Sequence, residues 1–571
     1  MEKEIYIKKG WLFIPVCATY GELPFGGKKN NRMLEIFCRE NNSETKLFEF
    51  QIPAGEAEDE TYPVSYYARF PVKQFTDKTL ILRGDLGRAF FDGIRNEDVP
   101  AAGKKYFCNG QGEAFRRPSI HFTPQTGWMN DPNGLCEFQG VNHIYFQYTP
   151  FLAGWGTKLW GHYTTKDWIH YKEEEPFLYP DEEWDRDGVY SGSAYTCEDG
   201  IHYFYTGNVK LWDKDYDYIM NGREQNTIHV FSPDGKNIAY KKLVMTNDDY
   251  PVNMSKHVRD PKIYKKDGRY YMIQGGRDAE SYGCALLFCS DDLEHWKWYD
   301  TVRTAKPFGY MWECPDLFEI DGQQIMTCCP QGVDQKGYDY QNVYQCGYFP
   351  VEFDLKNKSY SFGKFQEFDK GFDIYATQTF ADEAGRRILI GWMGIPDADY
   401  DNDATVAYDW IHALTMPREL EWKDGKILQH PLKEMKDLRK NAFTCELEAF
   451  TKWAPADCCF ELRLDVEEAK NLELKLREDV TISWKDGLFT LSMGESGRGR
   501  KQRFAKVEEL SDITIFSDTS AIEIFINNGE TVLTTRVYSE HLEQKVELVS
   551  REVKGSVHGY ELGSFEVEYK K

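Results

Sequence analysis

An all-β chain is predicted: a five-bladed β-propeller followed by a C-terminal β-sandwich, with an extra β-sandwich-like domain at the N-terminus. Three observations predict it. Short runs of β-formers recur from end to end, separated by Gly, Asn and charged clusters. Aromatic residues make up 15% of the chain. Between His121 and about Leu420 a loose repeat of strand, Gly-containing turn and Tyr- or Phe-rich strand returns. With 571 residues, the chain exceeds what one ordinary core holds, so several domains are expected.

The first domain, 1–115, carries the runs Trp11–Val16, Met33–Phe37, Lys46–Ile52, Tyr66–Phe70 and Thr79–Arg83, the pattern of a small sandwich. Its aromatic rings could hold a polysaccharide. Ala101 to Lys105, leading to Arg116-Arg117-Pro118, reads as the boundary. The repeat fills 116–425. Its units begin near Asn130-Asp131-Pro132, Tyr190-Ser191-Gly192-Ser193, Arg259-Asp260-Pro261, Glu313-Cys314-Pro315-Asp316 and Asp373-Ile374-Tyr375-Ala376. Five all-β units of roughly 40 to 65 residues suggest propeller blades, whose innermost strands bring distant residues to one funnel. Two units close alike, at Lys166-Asp167-Trp168-Ile169-His170-Tyr171 and Asp291-Asp292-Leu293-Glu294-His295-Trp296. Leu432, Met435 and Leu438 have helical spacing, which predicts a linker helix over 426–441. Alternation returns over 442–571, at Phe460–Leu464, Leu472–Leu476 and Ile522–Ile526, with a turn at Asn527-Asn528-Gly529, and predicts a second sandwich.

A formal net charge of −24 disfavours nucleic acid and anionic lipid as partners. No apolar run approaches the roughly 20 residues of a membrane helix. Trp11 to Ala18 reads as a strand rather than a signal peptide, so a cytoplasmic protein is expected, with its 14 cysteines reduced and mostly buried. The pattern leaves room for a homo-oligomer. No cofactor and no metal are expected: no CxxC, no HExxH and no DxDxDG loop occur, and the 12 His do not cluster.

Three acids, Asp131, Asp260 and Glu313, stand at unit starts beside a Pro or one residue from it. Trp128-Met129-Asn130-Asp131-Pro132-Asn133-Gly134 puts a carboxylate in a stiff setting. Pro132 biases Asp131 to an extended backbone, and Asn133-Gly134 reads as a hairpin turn with Asp131 at its tip. Splitting a glycosidic bond needs two carboxyl groups, one to protonate the leaving oxygen and one to attack or stabilise the sugar cation. A third can bind ring hydroxyls. Trp128, Trp155, Trp160 and Trp312 offer flat apolar plates, although core packing is the commoner use of any single Trp. Asn130, Gln147, Arg259 and His162 offer donors for vicinal hydroxyls. Met311, Trp312, Cys314 and Pro315 would surround Glu313 with apolar groups that favour its neutral form.

Trp128–Gly134, Arg259-Asp260-Pro261 and Glu313-Cys314-Pro315-Asp316 closely resemble the three signature motifs of the invertase, inulinase and levanase family, glycoside hydrolase family thirty-two. Trp160-Gly161-His162, Gly391-Trp392-Met393 and Pro417-Arg418-Glu419-Leu420 are further matches, and the resemblance runs from about Pro118 to the end. It implies the propeller-plus-sandwich architecture and retaining hydrolysis of a terminal β-linked fructosyl unit. Carried onto matching positions, Asp131 would be the nucleophile, Glu313 the acid and then base, and Asp260 the stabiliser of the transition state. Asn130, Gln147, Trp155, Ser191, Arg259, Tyr375 and Trp392 would bind substrate. The implied substrates are sucrose, fructo-oligosaccharides or fructan ends; sucrose 6-phosphate and fructosyl transfer to another sugar are the alternatives. The basic stretch Arg498, Arg500, Lys501, Arg503 reads as a solvated loop more readily than as a phosphate site.

Overall fold

The computed structural model describes residues 1–17, 31–40, 43–53, 61–98, 116–211, 217–541, 544–550 and 552–568. The first domain is two facing antiparallel sheets. One runs Glu2–Tyr6, Thr79–Gly84, Asn31–Glu40, Ser43–Pro53 in spatial order; the other runs Tyr66–Pro71, Trp11–Val16, Arg95–Glu97. Alternation explains the pairing of faces: in Tyr66–Pro71 every second residue is buried. Leu12, Ile14, Ile36, Phe48, Phe50 and Phe70 form its core, which continues without a break into Phe151, Leu152 and Leu159 of the next domain. Several of its rings are used in this packing: Phe50 stacks on Phe151 and Trp11 meets Tyr179 edge-on, while Tyr6 is exposed. The expected boundary at Ala101–Lys105 lies outside the described residues.

Five antiparallel sheets follow in chain order. Their first strands are Gly127–Phe138, Val189–Cys197, Met254–Lys266, Met311–Ile320 and Tyr375–Ala381. These five lie side by side, and the fifth returns to the first. Each continues outward by hairpins. Gln139-Gly140, Asp267-Gly268, Asp321-Gly322 and Asp424-Gly425 all carry paired positive φ angles, the two-residue turn that matches strand twist. Two parallel pairings flank the first sheet: Trp410–Ile411 joins its inner strand at Gly127–Trp128, and Glu566–Glu568 extends its outer edge at His170–Glu173.

The linker helix expected over 426–441 is not formed as such. Lys426–Pro431 is the outer strand of the fifth sheet, Lys433–Leu438 is a short 3-10 turn, and Arg439–Glu446 begins the sandwich. Leu432, Met435 and Leu438 are spaced by three, which a 3-10 turn satisfies as well as an α-helix, and all three are buried. The C-terminal sandwich has two six-stranded sheets. Leu472, Leu474 and Leu476 point into its core as their alternation predicts.

Ile522–Ile526 is buried on both faces, because its outer face docks on the propeller. There Glu523 meets Arg418 at 2.7 Å and His121 at 3.1 Å, and Asp518 meets the other His121 nitrogen at 2.8 Å. The basic stretch is a solvated loop only in part, at the exposed Arg498 and Lys501. Arg500 is fully buried, with both carboxylate oxygens of Asp373 at 2.7 Å, and Arg498 pairs with Asp401. The surrounding carboxylates explain both positions.

Candidate active site

Each of the five inner strands slips register against its neighbour at the same end. The slips fall between Met129 and Pro132, Val189 and Gly192, Arg259 and Lys262, Glu313 and Asp316, and Tyr375 and Gln378. A β-bulge leaves residues unpaired and re-aims side chains. Here five bulges turn five sets of side chains toward one mouth. Asp260, Cys314 and Ala376 hold positive φ (64°, 49° and 47°), a conformation costly for residues with a Cβ. Pro261 and Pro315 follow two of them, where no ladder N–H is required. Asn133-Gly134 is accordingly a second slip within Gly127–Phe138 and not a hairpin tip; Asp131 sits inside a bulged strand. The Asn-Gly signal reports Gly134's positive φ, which a bulge needs as much as a turn does.

A cavity of about 860 Å³ opens at this mouth. All ten residues given catalytic or substrate-binding roles by the resemblance, Asn130, Asp131, Gln147, Trp155, Ser191, Arg259, Asp260, Glu313, Tyr375 and Trp392, line it. The Asp131 carboxylate accepts hydrogen bonds from Asn130 Nδ2 at 2.9 Å and Ser191 Oγ at 2.5 Å; Asn130 Oδ1 in turn accepts from Trp128 Nε1 at 2.7 Å. The carboxylate is thus oriented through two strands. Asp260 is buried and accepts from the Cys314 N–H at 2.9 Å. Burial pushes its carboxyl up to about 6, against the pull of the Arg259 guanidinium and the Cys314 N–H, with Asp131 adding to the rise.

Glu313 is met by donors rather than by apolar groups. Arg259 pairs with Oε1, while Tyr375 Oη donates to Oε2 at 2.6 Å and Gln331 Nε2 donates at 3.0 Å. The expected apolar surround fails for a geometric reason. Neighbours along a strand face opposite sides, so Trp312 turns away to pack on Phe349 and donates its N–H to Phe308 O. Trp160 is likewise core, against Tyr203 and Tyr205. His162 also departs from expectation: it bonds His143 on the neighbouring strand of the same blade at 3.0 Å and does not line the cavity.

Trp155, half exposed, stands at the rim edge-on to Trp128, and Trp392 is buried between Trp128 and Tyr375. Gln147 Nε2, on the second strand of the first blade, donates to Val189 O at 2.9 Å and ties that strand to the inner strand of the second blade. Lys158 is a lining residue that sequence reasoning missed. It is buried over the faces of Trp128 and Trp155, and burial holds its ammonium well below the usual lysine range although Asp131 opposes this. Met33, Glu49 and Gln51 of the first domain also line the cavity, and Glu49 pairs with Lys210 of the second blade at 2.9 Å. Among the described residues one group of metal-type ligands occurs, Cys197, Asp199 and His202; none of the three lines the cavity.

A scan against family models finds Glycosyl hydrolases family 32 N-terminal domain over residues 121–431 and Glycosyl hydrolases family 32 C terminal over residues 433–567. The chain belongs to glycosyl hydrolase family 32. It is a glycoside hydrolase. As a family 32 chain it is 37% identical over 435 residues to a sucrose-6-phosphate hydrolase of Bacillus subtilis, covering 74% of this chain and 89% of that one. The structure of a sucrose-6-phosphate hydrolase from Lactobacillus gasseri superposes with a TM-score of 0.73 at 29% identity, covering 79% of this chain and 94% of the other. A family 32 structure from Bifidobacterium adolescentis, 17% identical, matches 99% of both chains with a TM-score of 0.71 and so shares the whole fold. The propeller and sandwich read in the family 32 sequence are those observed. Among the described residues no helix is long and apolar enough to cross a membrane.

Proposed function

We propose that this family 32 hydrolase releases terminal β-linked fructose with retention, through a covalent fructosyl-enzyme. The observation that carries the reading is the convergence of Asp131, Asp260 and Glu313, from three different blades, on one cavity. Asp131, aimed by Asn130 and Ser191, attacks the anomeric carbon as the bond to the leaving oxygen breaks. Glu313 gives its proton to that oxygen. In the second half, Glu313 takes a proton from water, the water oxygen bonds the anomeric carbon, and Asp131 departs. Asp260 accepts from ring hydroxyls, and these bonds tighten as positive charge develops.

Arg259 and Tyr375 hold Glu313 toward the leaving-group side. A volume of about 860 Å³ suits one fructosyl unit with a short leaving group, so disaccharides of the sucrose type and short fructo-oligosaccharides are favoured over long fructan chains. Sucrose 6-phosphate is the second reading, supported by the named activity of the Bacillus subtilis relative. Glu313→Gln is expected to lower turnover of sucrose by about 100-fold or more. Near-full activity in that variant removes Glu313 from the acid role.

A further inference from the structure

The wall of the cavity between the second and third blades holds an unusual charge arrangement for a chain of net charge −24. Arg223 is buried; it donates to the Tyr218 carbonyl at 2.7 Å and lies over the Tyr218 ring. Arg277 bonds the Ser281 hydroxyl at 3.0 Å and lies over the Tyr310 ring. None of these partners is an anion. Arg418 and Arg500, equally buried, are each closed by carboxylates. Burying an ion without a counter-charge costs several kcal/mol, so such a guanidinium awaits an anion.

His257 lies within reach of both charges. It is 4% exposed, lines the cavity, and neither ring nitrogen has a hydrogen-bond partner. Burial and the charges of Arg259, Arg223 and Arg277 hold it well below the usual histidine range, so it is a neutral ring with one N–H to donate. The cavity's lysines are otherwise engaged: Lys210 pairs with Glu49, and Lys158 bonds Thr149 beneath the two indoles.

The position fits the leaving group. His257 lies two residues before Arg259, roughly 7 Å along the strand, and Arg259 pairs with Glu313, the acid that faces the leaving oxygen. The geometry points to a phosphate subsite, made by Arg223, His257 and Arg277, that takes a phosphate monoester on the leaving sugar, as in sucrose 6-phosphate. Two guanidiniums and an imidazole N–H supply the planar and single donors a phosphate accepts. The inference rests on the fructosidase reading for its catalytic half only, and Asp131, Asp260 and Glu313 play no part in it.

The test uses the full-length enzyme. Steady-state kinetics compare sucrose 6-phosphate with sucrose, and calorimetric titration compares glucose 6-phosphate, glucose and inorganic phosphate. The expected result is at least a tenfold preference in kcat/KM for the phosphorylated disaccharide, with glucose 6-phosphate binding at least tenfold tighter than glucose or phosphate. Arg277→Gln, the less buried change, should erase most of that ratio, and Arg277→Lys should restore part of it. Hydrolysis of sucrose with no phosphate preference overturns the subsite and leaves the fructosidase reading standing. If neither disaccharide turns over, that reading fails, and the titration alone decides: glucose 6-phosphate bound no tighter than glucose, or no tighter than phosphate, overturns the subsite. Unchanged ratios in Arg277→Gln overturn it too.

Discussion

Asp260 is buried in a site that its chemistry needs, at a cost to stability. Its carboxyl titrates at about 6 in the fold against an ordinary 3.8. The folded state therefore holds a proton that the unfolded chain has lost between those values, and stability falls as pH rises from about 4 to 6. Asp260→Asn removes this dependence and should be more stable than the parent by about 3 kcal/mol above pH 7, with no gain below pH 4. Melting temperatures across that range check it, and turnover of sucrose should fall at the same time. The three acids were legible in the sequence because proline or its neighbour marks each bulge. Gln331 and Lys158 were not: Gln331 ends the second strand of its blade and Lys158 lies in the loop just before Leu159–Thr165, and only register brings Gln331 to Glu313.

At the scale of elements, the blades approach so closely that some positions admit no side chain. A Cβ on Gly275, which pairs with Arg259 in the third blade, would come 2.0 Å from the Trp312 carbonyl oxygen of the fourth. Gly275→Ala must push the segment bearing Glu313 outward. Overpacking of this kind costs about 1–3 kcal/mol, and a shift near 1 Å costs on the order of 100-fold in rate. Thermal melts and sucrose kinetics should therefore both register this one methyl group.

Hairpins were readable from their Gly-containing turns, and the repeated closing phrase has a physical basis. Asp167 and Asp292 each accept two backbone N–H groups just downstream. The second blade closes the same way through Asp234 with Lys236 and Asn237, a copy hidden because it lacks the aromatic and histidine that flagged the others. The 426–431 strand was misread because its neighbours' spacing of three belongs to the turn that follows.

Across the whole molecule, three cores are joined into one. His121, Arg418 and Asp369 of the propeller interlock with Asp518, Glu523 and Thr534 of the sandwich, all buried. Breaking a buried pair on one side leaves its partner uncompensated. Glu523→Ala should thus cost about 3–5 kcal/mol and lower the melting temperature of propeller and sandwich together; two separate transitions would contradict a shared interface. The first domain is tied as firmly, through Phe151, Leu152 and Leu159. A chain starting at residue 116 should lose soluble yield and thermal stability, because those side chains would face water. None of this docking was visible in the sequence, where strand alternation marks an inward face but not which body covers the outward one.

The proposed mechanism turns on displacement by the Asp131 carboxylate with retention at the fructosyl carbon. Sucrose hydrolysed in aqueous methanol tests it directly, since the methyl fructoside formed keeps its configuration for analysis by NMR. Retention through a fructosyl-enzyme gives methyl β-fructofuranoside. The α-anomer as the enzymatic product would mean that methanol attacked from the opposite face, and would remove the fructosyl-enzyme from the mechanism.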